Sequence, residues 1–166
     1  MSAPRADFAL ILSELAASQA EFVVIGGAGA VLQGAPISTV DIDIVQSRAI
    51  DSVERLVRAL NRLHAYYREH PDRKPSPDAK LMTGPGHHLL MTDAGPLDVL
   101  GEAGPGQTYD ELKRESLLMD IAPGVTIRVL SLEAIVRMKE ALGRDKDRIV
   151  IPILRRTMEE RTRLSQ

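Results

Sequence analysis

Three aspartates stand in strongly apolar company in this chain of 166 residues. Asp41 and Asp43 lie in Val40-Asp41-Ile42-Asp43-Ile44-Val45, and Asp98 lies in Leu97-Asp98-Val99-Leu100. Strict alternation in the first run predicts a strand over 40–45, with both carboxylates on one face and Ile42 and Ile44 on the other. Two carboxylates on one face repel each other and resist desolvation unless a cation sits between them. Hard oxygen ligands with no His or Cys nearby in sequence suit magnesium or manganese rather than zinc. A lone Asp-x-Asp fits a solvated strand face equally well. Asp98, a third acid in an apolar strand, shifts the balance toward a site. Three carboxylates can hold two divalent ions, one activating an attacking oxygen and one binding a triphosphate and its leaving group.

Gly26-Gly27 stands between a β-branched run and a small-residue stretch, a place where backbone N–H groups can receive an anion. Two glycine motifs fail there. Leu32 occupies the third glycine position of a dinucleotide fingerprint, and Ala35-Pro36 replace the Lys-Ser/Thr that a P-loop needs after Gly34. Taken alone, the glycine pair fits a turn and tight helix–strand packing better than a site. Ser38 and Thr39 fit a phosphate contact or a purely local turn. His87-His88 reads as a hairpin feature rather than a ligand pair, Arg48 fits a helix-preceding surface arginine better than a site residue, and Arg155-Arg156, Arg161 and Arg163 fit an RNA contact or a solvated helix face equally well.

The elements that must position these residues follow from periodicity and breakers. Helices are predicted over Ala6–Ala17, Ala28–Gln33, Asp51–Leu63 and Leu132–Leu142, with a short turn near Asp110–Lys113 and a last helix over about Asp145–Arg163, kinked at Pro152. Strands are predicted over Phe22–Ile25 and 40–45, with hairpins pairing His88–Thr92 with Leu97–Leu100 and Leu117–Ile121 with Val125–Leu130. Glu69–Gly86, with four prolines, reads as a mobile loop.

Length and composition bound the rest. One domain over 1–166 is expected, with a core at about 21–130 and C-terminal helices at about 131–164. Two Phe, three Tyr and no Trp argue against aromatic platforms for single-stranded nucleic acid. The absence of Cys removes thiol nucleophiles and Cys-zinc sites, and points to a reducing, cytoplasmic setting. Residues 22–40 carry no charge, yet their glycines, Pro36 and polar residues exclude a membrane span. The net charge of −2 divides unevenly: the segment from Arg137 onward is +4 and the preceding residues are −6. An acidic body beside a basic tail suggests a place where cations and phosphates meet.

The order Gly26-Gly27, Gly34, Thr39, Asp41-Ile42-Asp43 and later Asp98 resembles the minimal nucleotidyltransferase superfamily, which shares its fold with DNA polymerase beta. The likeness covers roughly Glu21 to Leu154. Lys139 followed by Gly143-Arg144-Asp145-Lys146-Asp147 looks most like the nucleotidyltransferase-like toxins of abortive-infection systems and their stand-alone bacterial relatives. The resemblance implies an α/β (α+β) fold, a small mixed β-sheet flanked by helices with the C-terminal helices packed across it. It assigns Asp41, Asp43 and Asp98 to catalysis and to Mg2+ or Mn2+. Gly26, Gly27 and Thr39 go to the triphosphate, and Lys139, Arg144 and Lys146 to its charge. The implied reaction moves a nucleoside monophosphate from a nucleoside triphosphate (NTP) to an acceptor hydroxyl on RNA (such as tRNA), protein or a small molecule. Ile37 stands where many relatives carry Arg. The alternative is therefore a catalytically weak or inactive protein of this fold, serving as a nucleotide-binding module or a toxin–antitoxin partner protein.

Overall fold

A computed structural model describes residues 6–166. Its centre is a seven-stranded mixed sheet, in the spatial order β3-β4-β5-β2-β1-β7-β6. In chain order the strands are β1 (Phe22–Ile25), β2 (Ile42–Gln46), β3 (Tyr66–Tyr67), β4 (His87–Thr92), β5 (Gly95–Leu100), β6 (Ser116–Ala122) and β7 (Val125–Leu130). The helices are α1 (Phe8–Ala17), α2 (Gly26–Leu32), α3 (Ile50–Arg62), α4 (Ala79–Met82), α5 (Tyr109–Lys113), α6 (Leu132–Leu142) and α7 (Asp145–Leu164). Two pairings set the centre: β1 lies antiparallel to β2, and β2 lies parallel to β5 with Asp43 opposite Asp98.

Alternation along the strands feeds two cores. Phe22, Val24, Ile42, Ile44, Leu90, Leu97, Val99, Ile127 and Val129 face α1, α3 and α4, where Ile11, Leu12, Leu15, Val53, Leu56, Leu60 and Met82 are buried. Val23, Ile25, Val45, Leu100 and Leu130 face the other way, onto Tyr109 and Leu112 of α5, Leu132, Ile135 and Val136 of α6, and Leu154 of α7. Strands buried on both faces read as continuous apolar runs, which is why Phe22–Ile25 carries no polar residue.

Four features differ from the sequence expectations. The second helix begins at Gly26, directly after β1, rather than at Ala28. The strand carrying the Asp-x-Asp run begins at Ile42, so Asp41 lies just ahead of it. The proline-rich stretch is not wholly a loop: α4 forms there, Asp78 caps it by accepting from the backbone N–H of Lys80, and Met82 is fully buried. Two-residue β3 escaped detection because a pair of residues shows no periodicity. Both hairpins and the C-terminal helices form where expected, and Pro152 lies inside α7.

The turn after β5 is held by a close backbone approach. A Cβ on Gly101 would lie 2.2 Å from the carbonyl oxygen of Gly84, while the Gly101 backbone N–H donates to the carbonyl of Gly86 at 2.9 Å. No side chain can be added there without separating the α4 loop from the sheet. Gly101→Ala is therefore expected to cost about 2 kcal/mol or more, read as a lower urea midpoint with an unchanged slope.

Candidate functional site

β2 and β5 bring the three aspartates together. One carboxylate oxygen from each of Asp41, Asp43 and Asp98 lies within 4.8 Å of the others, and all three side chains are half-buried. The cause is register: Asp43 and Asp98 are directly paired across a parallel ladder, on the sheet face opposite Ile44 and Val99. Thr39 helps to place Asp41, since its hydroxyl donates to the Asp41 carbonyl at 3.1 Å.

The glycines close in from β1. Ile25 pairs with Asp43, and the next residue, Gly26, turns the chain into α2 with φ +62°. A Cβ on Gly26 would lie 3.0 Å from Asp43 Oδ2, and one on Gly27 would lie 3.1 Å from Thr39 Oγ1. The two positions favour glycine because the backbone passes directly over the Asp43 side chain at Gly26 and the Thr39 side chain at Gly27. Ile25, the residue at the start of α2, provides no side-chain cap for the helix, and among the described residues no side chain is seen to cap it.

A cation that the sequence pattern did not reveal completes the cluster. Arg68, immediately after β3, donates from Nη1 to Asp98 Oδ1 at 2.5 Å and to the Leu90 carbonyl at 3.1 Å. One guanidinium thus faces three carboxylates. Asp43 registers the imbalance: burial, then the charges of Asp41 and Asp98 and a shared-proton contact with Asp98, push it up to about 7, against the opposing pull of Arg68. An all-carboxylate donor set this close, with one carboxyl pushed toward neutrality, fits a hard divalent cation such as Mg2+ or Mn2+.

The C-terminal cations are engaged elsewhere. Lys139 Nζ donates to Asp147 Oδ1 at 3.3 Å, and Arg144 donates to both Asp147 oxygens at 2.7 and 3.2 Å. The Asp147 side chain is 2% exposed. Burial pushes its carboxyl up, but hydrogen bonds from Arg144 and Lys139, together with their charges, hold it below the ordinary value. Gly143 ends α6 in the left-handed conformation, so the Gly143–Asp147 run is a clasp between α6 and α7. Among the described residues no ion pair joins Lys139, Arg144 or Lys146 to the aspartate cluster.

Arg48 also lies apart, bound to the Thr83 carbonyl and to Glu102. His88 pairs with Val99, on the face opposite the cluster, and its Nδ1 meets the Tyr67 hydroxyl at 2.8 Å. Ile37 packs against the core under α6 and α7.

The raised Asp43 makes the metal-free fold pH-dependent. A carboxyl that holds its proton more tightly in the folded state stabilises the fold below the unfolded value of 3.8, and that contribution is lost as pH rises toward about 7. In chelator, Asp43→Asn should therefore match the parent near pH 4 and gain progressively above it. The gain should reach about 2–4 kcal/mol at pH 8, read as a rise in melting temperature.

A scan against protein-family models and a search of curated proteins find no match to this chain. Among solved structures, the chain is similar to a Thermotoga maritima protein described as a "putative nucleotidyltransferase", at 20% identity and a TM-score of 0.53, over 90% of this chain and 89% of that one. With the mixed sheet and its flanking helices, that likeness gives the chain a nucleotidyltransferase-like fold.

Proposed function

We propose that the protein is a metal-dependent nucleotidyltransferase, moving a nucleoside monophosphate from an NTP to an acceptor hydroxyl. The observation that carries the reading is the meeting of Asp41, Asp43 and Asp98 within 4.8 Å, under the glycine turn that opens α2. A divalent cation bound by Asp41 and Asp43 would supply positive charge to the phosphate oxygens and the departing pyrophosphate. The chain's own groups do the remainder. The uncapped backbone at Gly26-Gly27 offers N–H groups to the triphosphate beside the carboxylates. Thr39 lies against Gly27 and holds the approach to Asp41 through its bond to the Asp41 carbonyl.

Asp98 has one oxygen bound by Arg68, leaving Oδ2 to accept the acceptor's hydroxyl proton. The acceptor oxygen then bonds to the α-phosphorus, the bond from that phosphorus to the bridging oxygen of the β-phosphate breaks, and pyrophosphate leaves. The Asp147 clasp of Lys139 and Arg144 keeps one net positive charge, and Lys146 adds another. These are the cations we assign to phosphate neutralisation, on the resemblance to the toxin-like branch. Among the described residues no helix is long and apolar enough to cross a membrane, and hydroxyls of RNA, protein and small molecules are the acceptor classes to be offered.

Incubation with α-labelled NTPs, Mg2+ or Mn2+ and cell extract should place label on an acceptor, with Asp41→Ala reducing it about a hundredfold or more. Equal labelling by that variant, or no label on any fraction, would sink the proposal. Mg2+ with a non-hydrolysable NTP at a hundred times its dissociation constant should also stabilise the protein by about 3 kcal/mol, and Asp43→Asn should abolish that gain.

A further inference from the structure

Arg68 is built into the cluster from a distance. It follows β3, the edge strand, and its side chain must cross β4 to reach β5. Three hydrogen bonds hold it on that course. Its backbone N–H donates to the Leu89 carbonyl at 3.1 Å, Nη1 donates to the Leu90 carbonyl at 3.1 Å, and the same nitrogen donates to Asp98 Oδ1 at 2.5 Å. Leu89 is the β4 residue paired with Asp98, so one local register places both the guanidinium and its carboxylate. The Arg68 side chain is 29% exposed and that of Asp98 only 14%. This is a partly desolvated pair with fixed geometry, unlike the solvent-screened pairs of the surface.

We propose that Arg68 takes the place of a second metal ion, so that the cluster binds one divalent cation, between Asp41 and Asp43, while Asp98 is matched by the guanidinium. The inference rests on the nucleotidyltransferase reading of the cluster and departs from the two-ion arrangement that three carboxylates allow. Charge favours it. Three carboxylates and one guanidinium sum to −2, which one divalent ion neutralises. Coordination favours it as well, because the Asp98 oxygen facing Arg68 already accepts a charge-assisted hydrogen bond, and a second ion there would sit against a fixed positive group. A guanidinium stays protonated throughout the working pH range, so the substitution is permanent rather than pH-gated.

The count of bound ions tests this without any turnover. Titration of the full chain with Mn2+ alone, followed by loss of the free-ion paramagnetic resonance signal, should give one ion per chain. Arg68→Lys should still bind one. Arg68→Ala and Arg68→Gln should each bind two, and Asp98→Asn added to Arg68→Ala should return the count to one. Two ions on the parent chain, or one on both neutral variants, would overturn the role of Arg68 and leave the metal site standing. A parent chain that binds no Mn2+ would reject the metal site itself, and the inference with it.

Discussion

The parallel register of β2 with β5 is the constraint on which the rest of the site depends. Ladder hydrogen bonds are indifferent to side-chain charge, so the pairing that sets Ile44 against Val99 also sets Asp43 against Asp98. The repulsion that follows is tolerated because the neighbours are buried so completely. Ile42, Ile44, Leu97 and Val99 are all fully excluded from water. Each contributes about 2 kcal/mol, so two or three of them match the penalty expressed in the displacement of Asp43. The carboxylates are held together by apolar side chains that point away from them.

The same register explains where the cluster can be reached. One face of the sheet is covered by α1, α3 and α4, whereas on the other α5, α6 and α7 pack against Val23 and Ile25 of β1, Val45 of β2, Leu100 of β5 and Leu130 of β7, with no residue of β3 or β4 among them. Along β4 the consequence is visible: His88, Leu90 and Thr92 are buried, while Leu89 and Met91, on the face shared with Asp98, are only half-buried. The acidic cluster therefore lies where the helical cover stops. Gly26 and Arg68 border it from opposite sides, one by passing backbone over Asp43 and the other by reaching across β4.

Most of this frame was legible from the sequence, because the signals were local. Alternation around Asp41 and Asp43, the apolar setting of Asp98 and the glycine pair all survive as neighbours in space, although the spacing in sequence could not say that Asp98 would be the direct partner of Asp43. Arg68 was illegible for a physical reason. It belongs to no periodic run, lies beside a two-residue strand, and acquires its meaning only when β4 pairs with β5. The order within the proline-rich stretch was hidden similarly: a single turn anchored by Met82 presents no helical stripe to detect.

The division of charge along the chain shows how far composition can locate a site. The basic excess after Arg137 is real, yet much of it is matched at close range: Arg137 with Glu115, Lys139 and Arg144 with Asp147, Arg148 with Asp145, and Arg155 with Glu140. Contacts of a few ångströms outweigh a diffuse field screened over about 8–10 Å. The cation that touches the aspartates comes instead from the acidic body, and Arg68 is invisible in a net count that it shares with so many carboxylates. The electrostatics of the cluster are set by four side chains brought together by the β3-β4-β5-β2 half of the sheet. Their balance, three negative charges against one positive, is what leaves room for a divalent ion.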